Sequence, residues 1–514
     1  MTSSNSKRIA KNTILLYFRM MLTMLVSLYT SRIVLQALGV EDFGIYNVVG
    51  GAVTMFSFFN GAMAAGTQRF LSFELGKTDS SNYQKVFSLA LVTHAGIAVL
   101  ILILAETVGL WFLNTKMNIP VERMDAARWI FHFSAISLFV NVLQVPYSAS
   151  IIAHEMMSFF AYISILEVSL KLLMVFLLAW VEFDKLKLFA VLTFLVTIVI
   201  SVIYRNFCKK KFSVCQFKLV WDKPMLLSLV SFAGWNLFGN LAWMAMGQGV
   251  NILLNIFFGP AVNAARGIAF QVNSSVMTFV SNFRVAVNPQ IVKSCAAGEK
   301  DYMNELVFES AKYSYYLLLL FSLPLILETK IILELWLTTV PDHAILFCRL
   351  ALINSLVVSF DGSFLTVFQA YDRVKENQIL SGVTYLMILP ASYFCLQKFP
   401  LPEIVFYLQI LSSFFVAFVI KLGLMIKIVG ITVPYYLKNL IIPTFKVTVI
   451  SLLMPLGVYY YCEAGFWRFV LICLISLISV FYAIFYFGIK DSLRERIFSY
   501  IERSLFQILE NKRN

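Results

Sequence analysis

Six charged residues lie within long apolar stretches of this 514-residue chain, where burying a charge is energetically costly. They are Arg19, Arg32, Lys171, Arg266, Arg284 and Asp361. Five are cations, and the fork of an arginine side chain suits phosphate oxygens. The pattern therefore predicts the binding of an anion. For the lone acid, Asp361, two readings stay open: it carries a coupling proton, or it pairs with an arginine.

The spacing of the two arginines near the N-terminus limits what they can do together. Arg19 and Arg32 are 13 residues apart, which is about 20 Å of rise in a helix. They point to different helix faces, so they cannot clasp one phosphate but can act at different depths. The alternative is that each extends to the membrane interface.

The other cations have similar competing explanations. Arg266 and Arg284, 18 residues apart, lie on one face of a predicted helix. Each is near an opposite end, so they either bind a ligand or anchor the helix at the interfaces. Lys171 is the deepest predicted cation, and Glu167 lies one turn before it, so a local ion pair is the simpler account.

The elements that must position these residues are membrane helices. The chain is 60% hydrophobic and 13% charged, about half the charge of an average soluble domain, and its mean hydropathy is +0.81. Two windows, 86–105 and 188–204, contain no Asp, Glu, Lys or Arg. Seven cysteines without a CxxC pair suggest neither a disulfide framework nor a metal site. The class is an all-α polytopic membrane protein.

The apolar runs predict fourteen transmembrane helices, joined by short loops without a soluble domain. The N-terminal run contains Arg19 and no small-residue cleavage site, so we expect it to be retained. The predicted spans are 14–38, 44–66, 86–112, 129–152, 158–181, 187–205, 225–256, 263–287, 307–328, 344–369, 378–397, 403–426, 441–461 and 467–488.

The distribution of lysine and arginine predicts the orientation. With the N-terminus inside, 28 of the 41 fall in cytoplasmic segments and 10 in outer loops, which places both termini in the cytoplasm. The net charge of +13 is then a topology signal plus attraction to anionic lipids, and nucleic-acid binding is not expected. The tail 489–514 has apolar residues every fourth position, typical of a helix on the inner membrane surface or of a solvated tail helix.

An internal repeat organises the spans. LQALGVEDFGIYNVVGG (35–51) is predicted to be an outer turn, and LNIFFGPAVNAARGIAF (254–270) repeats it with Gly259 at the place of Gly39. Two further matches, at 68–79 with 290–301 and at 104–111 with 328–336, keep nearly the same offset. We therefore predict two parallel six-helix lobes, 1–207 and 208–428, then two helices in 429–488. Two such lobes are the arrangement of many transporters.

Particular segments resemble a known family. SRIVLQALGVEDFGIYNVVGG, GTQRFLSFELGK, ILELWLTTVP and FQAYDRVKENQI are similar to segments of the bacterial polysaccharide (O-antigen) flippases. These belong to the multidrug/oligosaccharidyl-lipid/polysaccharide exporter (MOP) superfamily. The resemblance covers nearly the whole chain. It implies a flippase that moves undecaprenyl-pyrophosphate-linked oligosaccharide across the bacterial inner membrane by alternating access, for surface polysaccharide synthesis. Polysaccharide polymerase machinery is an implied partner.

The chemistry of that substrate agrees with the buried cations. An unpaired pyrophosphate in hydrocarbon costs many kcal/mol, and fixed cations in a wet cleft offset that cost. No cofactor is expected. GKT at 76–78 lacks the first glycine of a phosphate loop, since Leu71 stands there. The energy source stays open among proton exchange, sodium exchange and downhill flux.

The nearest alternative is a drug/cation antiporter of the same superfamily. Such proteins typically have twelve spans and buried acids, whereas this chain carries arginines in its first span and two more helices. A membrane enzyme, such as a polymerase or glycosyltransferase, is the second alternative. It is disfavoured because no sizeable outer loop or acidic metal site is present.

Overall fold

The computed structural model describes residues 3–54, 57–77, 82–115, 117, 119–180, 183–218, 220–337, 340–491 and 494–495. Within these ranges every regular element is a helix. The predicted amphipathic tail, 489–514, falls almost wholly outside the described residues, so that prediction is not addressed.

The N-terminal half consists of long helices joined by short connections. Its bounds are α1 Ser3–Thr54, α2 Ser57–Gly76, α3 Tyr83–Leu104, α4 Leu110–Thr115, α5 Met124–Ala153, α6 Met157–Trp180 and α7 Lys185–Lys211. Asp184 caps α7, since its carboxylate accepts the backbone N–H groups of Leu186 and Lys187. A 3-10 turn, Val121–Arg123, precedes α5.

The C-terminal half is divided into more numerous helices. The first six are α8 Lys223–Phe258, α9 Pro260–Ala296, α10 Lys300–Leu327, α11 Thr329–Trp336, α12 Ala344–Val358 and α13 Asp361–Ala370. The others are α14 Val374–Leu386, α15 Ile388–Lys398, α16 Ile404–Phe415, α17 Lys421–Val429, α18 Val433–Tyr436, α19 Ile442–Tyr461 and α20 Phe466–Ala483.

Four π-helical turns, each using one residue more than an α turn, interrupt or extend these helices. They are Ala105–Gly109, Val416–Ile420, Leu437–Ile441 and Ile484–Gly488.

Eleven helical segments in the described residues are long and apolar enough to cross a membrane. They coincide with predicted spans three to seven and nine to fourteen. The chain is therefore an all-helical, multi-pass membrane protein, but the count of fourteen is not reached. Predicted span eight lies in α9, a helix of 37 residues whose arginines, asparagines and serines make it more polar than the other eleven.

The predicted turn at 35–51 is wrong. These residues continue inside α1, an unbroken helix of 52 residues that is about 78 Å long at 1.5 Å per residue. Gly39 and Gly44 cost a helix only about 1 kcal/mol each, and the segment has no proline. Asp42, read as a turn residue, instead forms an ion pair with Arg123, which also binds Asp184 at 3.0 Å.

The matching turn in the second half is confirmed. Helix α8 ends at Phe258, Gly259 adopts a φ of +79°, and α9 begins at Pro260. A left-handed residue ends a helix, and a following proline disfavours helical geometry in the residue before it. Gly39 occupies the matching position in α1, but no proline follows it. The sequence repeat therefore does not produce a second helix break.

The chain divides into two compact units. Unit 1 comprises Met1–Trp243, Val285–Leu306 and Thr366–Gly382, and unit 2 comprises Met244–Arg284, Val307–Leu365 and Val383–Asn514. In unit 1, apolar residues of α1, α3, α5, α6 and α7 form an extensive core. In unit 2 the main core joins α8, α9, α12 and α16 and includes the buried Phe347 and Phe406. The lobe boundaries expected from the sequence stay a prediction.

Candidate functional site

Unit 1 encloses a cavity of about 620 Å³ between α1, α5, α6 and α7. Among the residues that the structure describes, its charged lining residues are Glu167 and Lys171 of α6. The polar lining residues without charge are Tyr46, Ser134, Ser137, Asn141, Gln144, Ser148, Thr193 and Thr197. The cavity is thus polar, and hydroxyl and amide groups outnumber charged groups in its lining.

Helix α5 supplies most of this polar surface. Ser134, Ser137, Asn141, Gln144 and Ser148 follow one another at alternating intervals of three and four residues, so they form one stripe along the helix. The Oε1 atom of Gln144 is buried and has no partner among the described residues. A ligand bearing hydroxyl groups would satisfy such a surface, since amides and hydroxyls both donate and accept.

Helix α7 completes the polar wall. The hydroxyls of Thr193 and Thr197 each donate to their own helix, to Phe189 O at 2.8 Å and to Thr193 O at 3.1 Å. Their oxygen atoms remain available as acceptors toward the cavity.

Lys171 forms the local ion pair that its spacing from Glu167 predicted. Its Nζ atom lies 2.6 Å from Glu167 Oε1, and the two side chains are 44% and 38% exposed. Because both open into the cavity, the pair is wet. An ammonium carries three donors, so the pair can still offer N–H groups to a second anion.

Arg19 lies on the same face of α6 as this pair. Its guanidinium sits 4.8 Å from the ring centre of Phe160, and Nη1 donates to Ser164 Oγ over a long 3.4 Å. Phe160, Ser164, Glu167 and Lys171 are spaced four, three and four residues apart and so share one face. Ser164 and Lys171 are about 10 Å apart along the axis. The structure therefore brings two of the predicted cations to one helix face at different depths.

Arg32 lies in α1, but its side chain is outside the described residues, so its predicted role is not addressed.

Arg266 is buried within unit 2, with 3% exposure. Its Nη1 donates to Asn251 Oδ1, its Nη2 donates to Gly247 O at 3.1 Å, and Phe270 packs 4.3 Å from the guanidinium carbon. No carboxylate in the described part of the chain pairs with it. Burial of this kind disagrees with interfacial anchoring and gives unit 2 an interior positive charge.

Arg284 and Asp361 belong to a second charged group in unit 2. Arg284 Nη2 donates to Ser359 O at 2.6 Å, and its Nε reaches Ser314 Oγ at 3.4 Å. The guanidinium occupies the space beside Gly362, because a Cβ there would lie 2.0 Å from Nη1. Glycine at 362 is therefore required for this position of the arginine.

The description of Asp361 as a lone acid is wrong. Its carboxylate forms an ion pair with Lys421, whose residue is only 1% exposed. Lys421 was counted among the cytoplasmic lysines although the predicted span 403–426 contains it, and the structure places it inside the apolar stretch of α16 and α17. The signal was present, because Lys421 stands in the run FFVAFVIKLGLM.

Two further charged clusters in unit 1 were missed. Glu155, in the turn between α5 and α6, has a side chain 1% exposed; it accepts Lys293 Nζ and Gln290 Nε2, both at 2.6 Å. Arg69 donates to Gln369 O at 2.6 Å and to Ala370 O at 3.2 Å, thereby capping the end of α13. Sequence spacing cannot reveal either cluster, because the partners are more than 130 residues apart.

No protein-family model and no curated protein matches the chain. Solved structures do match. An outward-facing multidrug resistance MATE transporter of the MOP superfamily has a TM-score of 0.72 at 14% identity, over 83% of this chain and 97% of that one. A MATE protein in a bent conformation gives 0.71 at 14% identity, over 83% and 96%.

A third match is a MOP superfamily transporter from Pyrococcus furiosus, described as having a binding pocket of reversed polarity that suggests a different function. It gives a TM-score of 0.69 at 14% identity, over 83% of this chain and 97% of that one. At these identities the likeness concerns the fold alone. The chain has the fold of the MATE transporters.

Proposed function

We propose that the protein is a flippase that moves undecaprenyl-pyrophosphate-linked oligosaccharide across the bacterial inner membrane by alternating access. The observation that carries the proposal is the cavity of unit 1. It combines a wall of hydroxyl and amide side chains with an accessible lysine, inside a transporter fold.

The two parts of such a substrate match two parts of this surface. Sugar hydroxyls are bound by side chains that donate and accept, as the stripe from Ser134 to Ser148 does. A pyrophosphate needs cations, because an unpaired anion in an apolar medium is very costly. Lys171 and Arg19, at two depths along one face of α6, support a path for that charge.

A drug/cation antiporter is the second candidate, since the multidrug resistance MATE transporter shares the fold. A cationic drug is best bound by an acid without a protein partner. The acid among the described lining residues of this cavity, Glu167, is already paired with Lys171, which favours an anionic or neutral ligand. The Pyrococcus furiosus relative is described as having a pocket of reversed polarity, so the fold itself accommodates pockets of different charge.

Ion coupling at Asp361 stays a proposal. Its carboxylate is held by Lys421, so any proton or sodium ion that used it would have to break that pair. Coupling therefore needs its own assay.

The test uses proteoliposomes that contain the protein and a fluorescent undecaprenyl-pyrophosphate oligosaccharide. Exposure of the sugar to an external lectin is followed for wild type, Lys171→Met and Asn141→Ala. Lys330→Met is the matched control, because Lys330 and Glu334 form an exposed pair of the same i,i+4 spacing, 3.9 Å apart, outside the cavity. We expect protein-dependent exposure that both cavity variants slow and the control does not.

A parallel arm measures efflux of a cationic dye. Dye efflux without sugar exposure would replace the flippase proposal with the antiporter. Sugar exposure at the wild-type rate in both cavity variants would support the flippase activity but would show that the substrate does not pass through the cavity of unit 1.

A further inference from the structure

Unit 1 has a second cavity, of about 410 Å³, on a different set of helix faces. It lies between α3, α5 and α7 and takes in Phe217 from the loop after α7. The proposed transport path does not use it, and none of its lining residues lines the first cavity.

The lining divides into an apolar part and a polar part. Leu91, Val92, Ala95, Val140 and Leu143 make the apolar part, whereas Tyr147, Ser201 and Arg205 supply the polar groups.

Their positions along the helices separate the two parts by depth. Arg205 and Tyr147 are each six residues from the ends of α7 and α5, about 9 Å, whereas Ala95 and Val140 are 12 and 13 residues from the corresponding ends of α3 and α5, about 18–20 Å. The groove is therefore charged near the helix ends and apolar toward the membrane interior.

Arg205 is the charged residue among the described lining of this groove, and it is exposed. No described carboxylate pairs with it. Lys209 follows one turn later on the same helix face, and Lys210 and Lys211 complete the last turn of α7. This charge at the end of an apolar groove complements an anionic headgroup, and clusters of lysine and arginine beside a membrane helix attract anionic lipids.

The outer wall is fixed by three links between the loop and α3. Gln84 Nε2 donates to Gln216 O at 3.1 Å, and the backbone N–H of Lys218 donates to Ser88 Oγ at 3.1 Å. Lys85 Nζ lies 3.3 Å from Asp222 Oδ2. Phe217, between the first two links, is thereby held at the mouth of the groove.

We propose that this groove binds one anionic glycerophospholipid, whose phosphate contacts Arg205 and whose acyl chain lies along α3 and α5. A phospholipid has its anionic headgroup at the membrane surface and its acyl chains toward the membrane interior. The groove places Arg205 and its apolar lining in that same order. The site does not depend on the flippase proposal.

The experiment is a lipid titration of the purified full chain in detergent, followed by native mass spectrometry. Phosphatidylglycerol is compared with phosphatidylcholine of identical acyl chains. We expect one phosphatidylglycerol to bind in preference to phosphatidylcholine. Arg205→Gln should weaken phosphatidylglycerol binding about tenfold, the usual effect of losing one hydrogen bond to a charged group. Phosphatidylcholine binding should weaken less, because its choline cation already offsets the phosphate charge, so the preference for phosphatidylglycerol should narrow.

Two more variants identify which part of the groove acts. Ala95→Phe fills the apolar end and should weaken both lipids. Arg128→Gln is the control, since Arg128 is an exposed arginine bonded to Asn114 and lies outside the groove. Each variant is first shown to keep the elution volume and melting temperature of wild type, and Arg205→Gln decides the matter if Ala95→Phe does not fold.

Equal phosphatidylglycerol affinity in Arg205→Gln and Arg128→Gln would overturn the proposal. So would full competition by inorganic phosphate at equal concentration, because the groove would then bind a free anion and not a lipid. Loss of binding in Arg205→Gln, without competition by phosphate, would support it.

Discussion

The buried cluster around Glu155 allows a stability prediction with a defined order of effects. Removing one partner of a buried ion pair costs about 3–5 kcal/mol, because the other charge is left without compensation. In Lys293→Met the Glu155 carboxylate, whose side chain is 1% exposed, loses the ammonium at 2.6 Å, while Gln290 still donates to it. We reduce the expected cost to about 2–3 kcal/mol, because Lys293 itself is 21% exposed and partly screened.

The reverse change should cost less. Glu155→Gln is close in shape and leaves an ammonium that reaches water, so we expect about 1–2 kcal/mol. The double variant removes both charges of this pair and should be less destabilised than the sum of the two, by about 1–2 kcal/mol of coupling.

The assay is thermal denaturation of the purified protein in detergent, detected by size exclusion. Melting temperatures are compared as a rank order, since a chain of two compact units need not unfold in one step. Lys293→Met should lie lowest, Glu155→Gln above it, and the double variant above the value expected from adding the two shifts. Lys330→Met, from an exposed pair, should match wild type. Strict additivity, or a Glu155→Gln variant less stable than Lys293→Met, would refute the reasoning.

Three further predictions concern other buried groups. Gly362→Ala should lower the melting temperature, because its Cβ would lie 2.0 Å from the guanidinium of Arg284; an unchanged value would mean that the arginine can move freely. Lys421→Met should destabilise more than the double variant Asp361→Asn/Lys421→Met, since only the single change strands the carboxylate. Burial lowers the pKa of His154 below 6.5, so protonation favours the unfolded chain. The melting temperature should therefore fall as the pH drops below 6.5, and it should fall less in His154→Gln.

Hydrophobic periodicity and run length predicted most of the fold. Within the described part of the chain, eleven of the spans appear as helices long enough to cross a membrane, since a long run of apolar residues without charge admits few other structures. The same criterion failed at 35–51, where Gly39, Glu41, Asp42 and Gly44 were read as a turn. The charged side chains there suggested exposure to solvent, but one of the acids, Asp42, accepts a hydrogen bond from Arg123, 81 residues away.

The candidate site was predictable only where its partners are neighbours in sequence. The Lys171–Glu167 pair follows from an interval of four residues, and the structure contains it. Arg19 on the face of α6, Glu155 with Lys293, and Asp361 with Lys421 all depend on helix packing between distant segments. The polar stripe of α5 has helical spacing in the sequence but carries no charge. The candidate site was predicted from charged residues, which do not mark this stripe.

The π turn Val416–Ile420 has an evolutionary consequence. It stands directly before Lys421, and its one additional residue rotates the rest of the helix by about 100° relative to a continuous α-helix. Lys421 therefore reaches Asp361 because the chain contains that insertion. A homologue that lacks the added residue would carry the aligned lysine on another face, without its acid. In an alignment of relatives, the acid at 361, the lysine at 421 and the single-residue insertion between 416 and 420 should be gained and lost together.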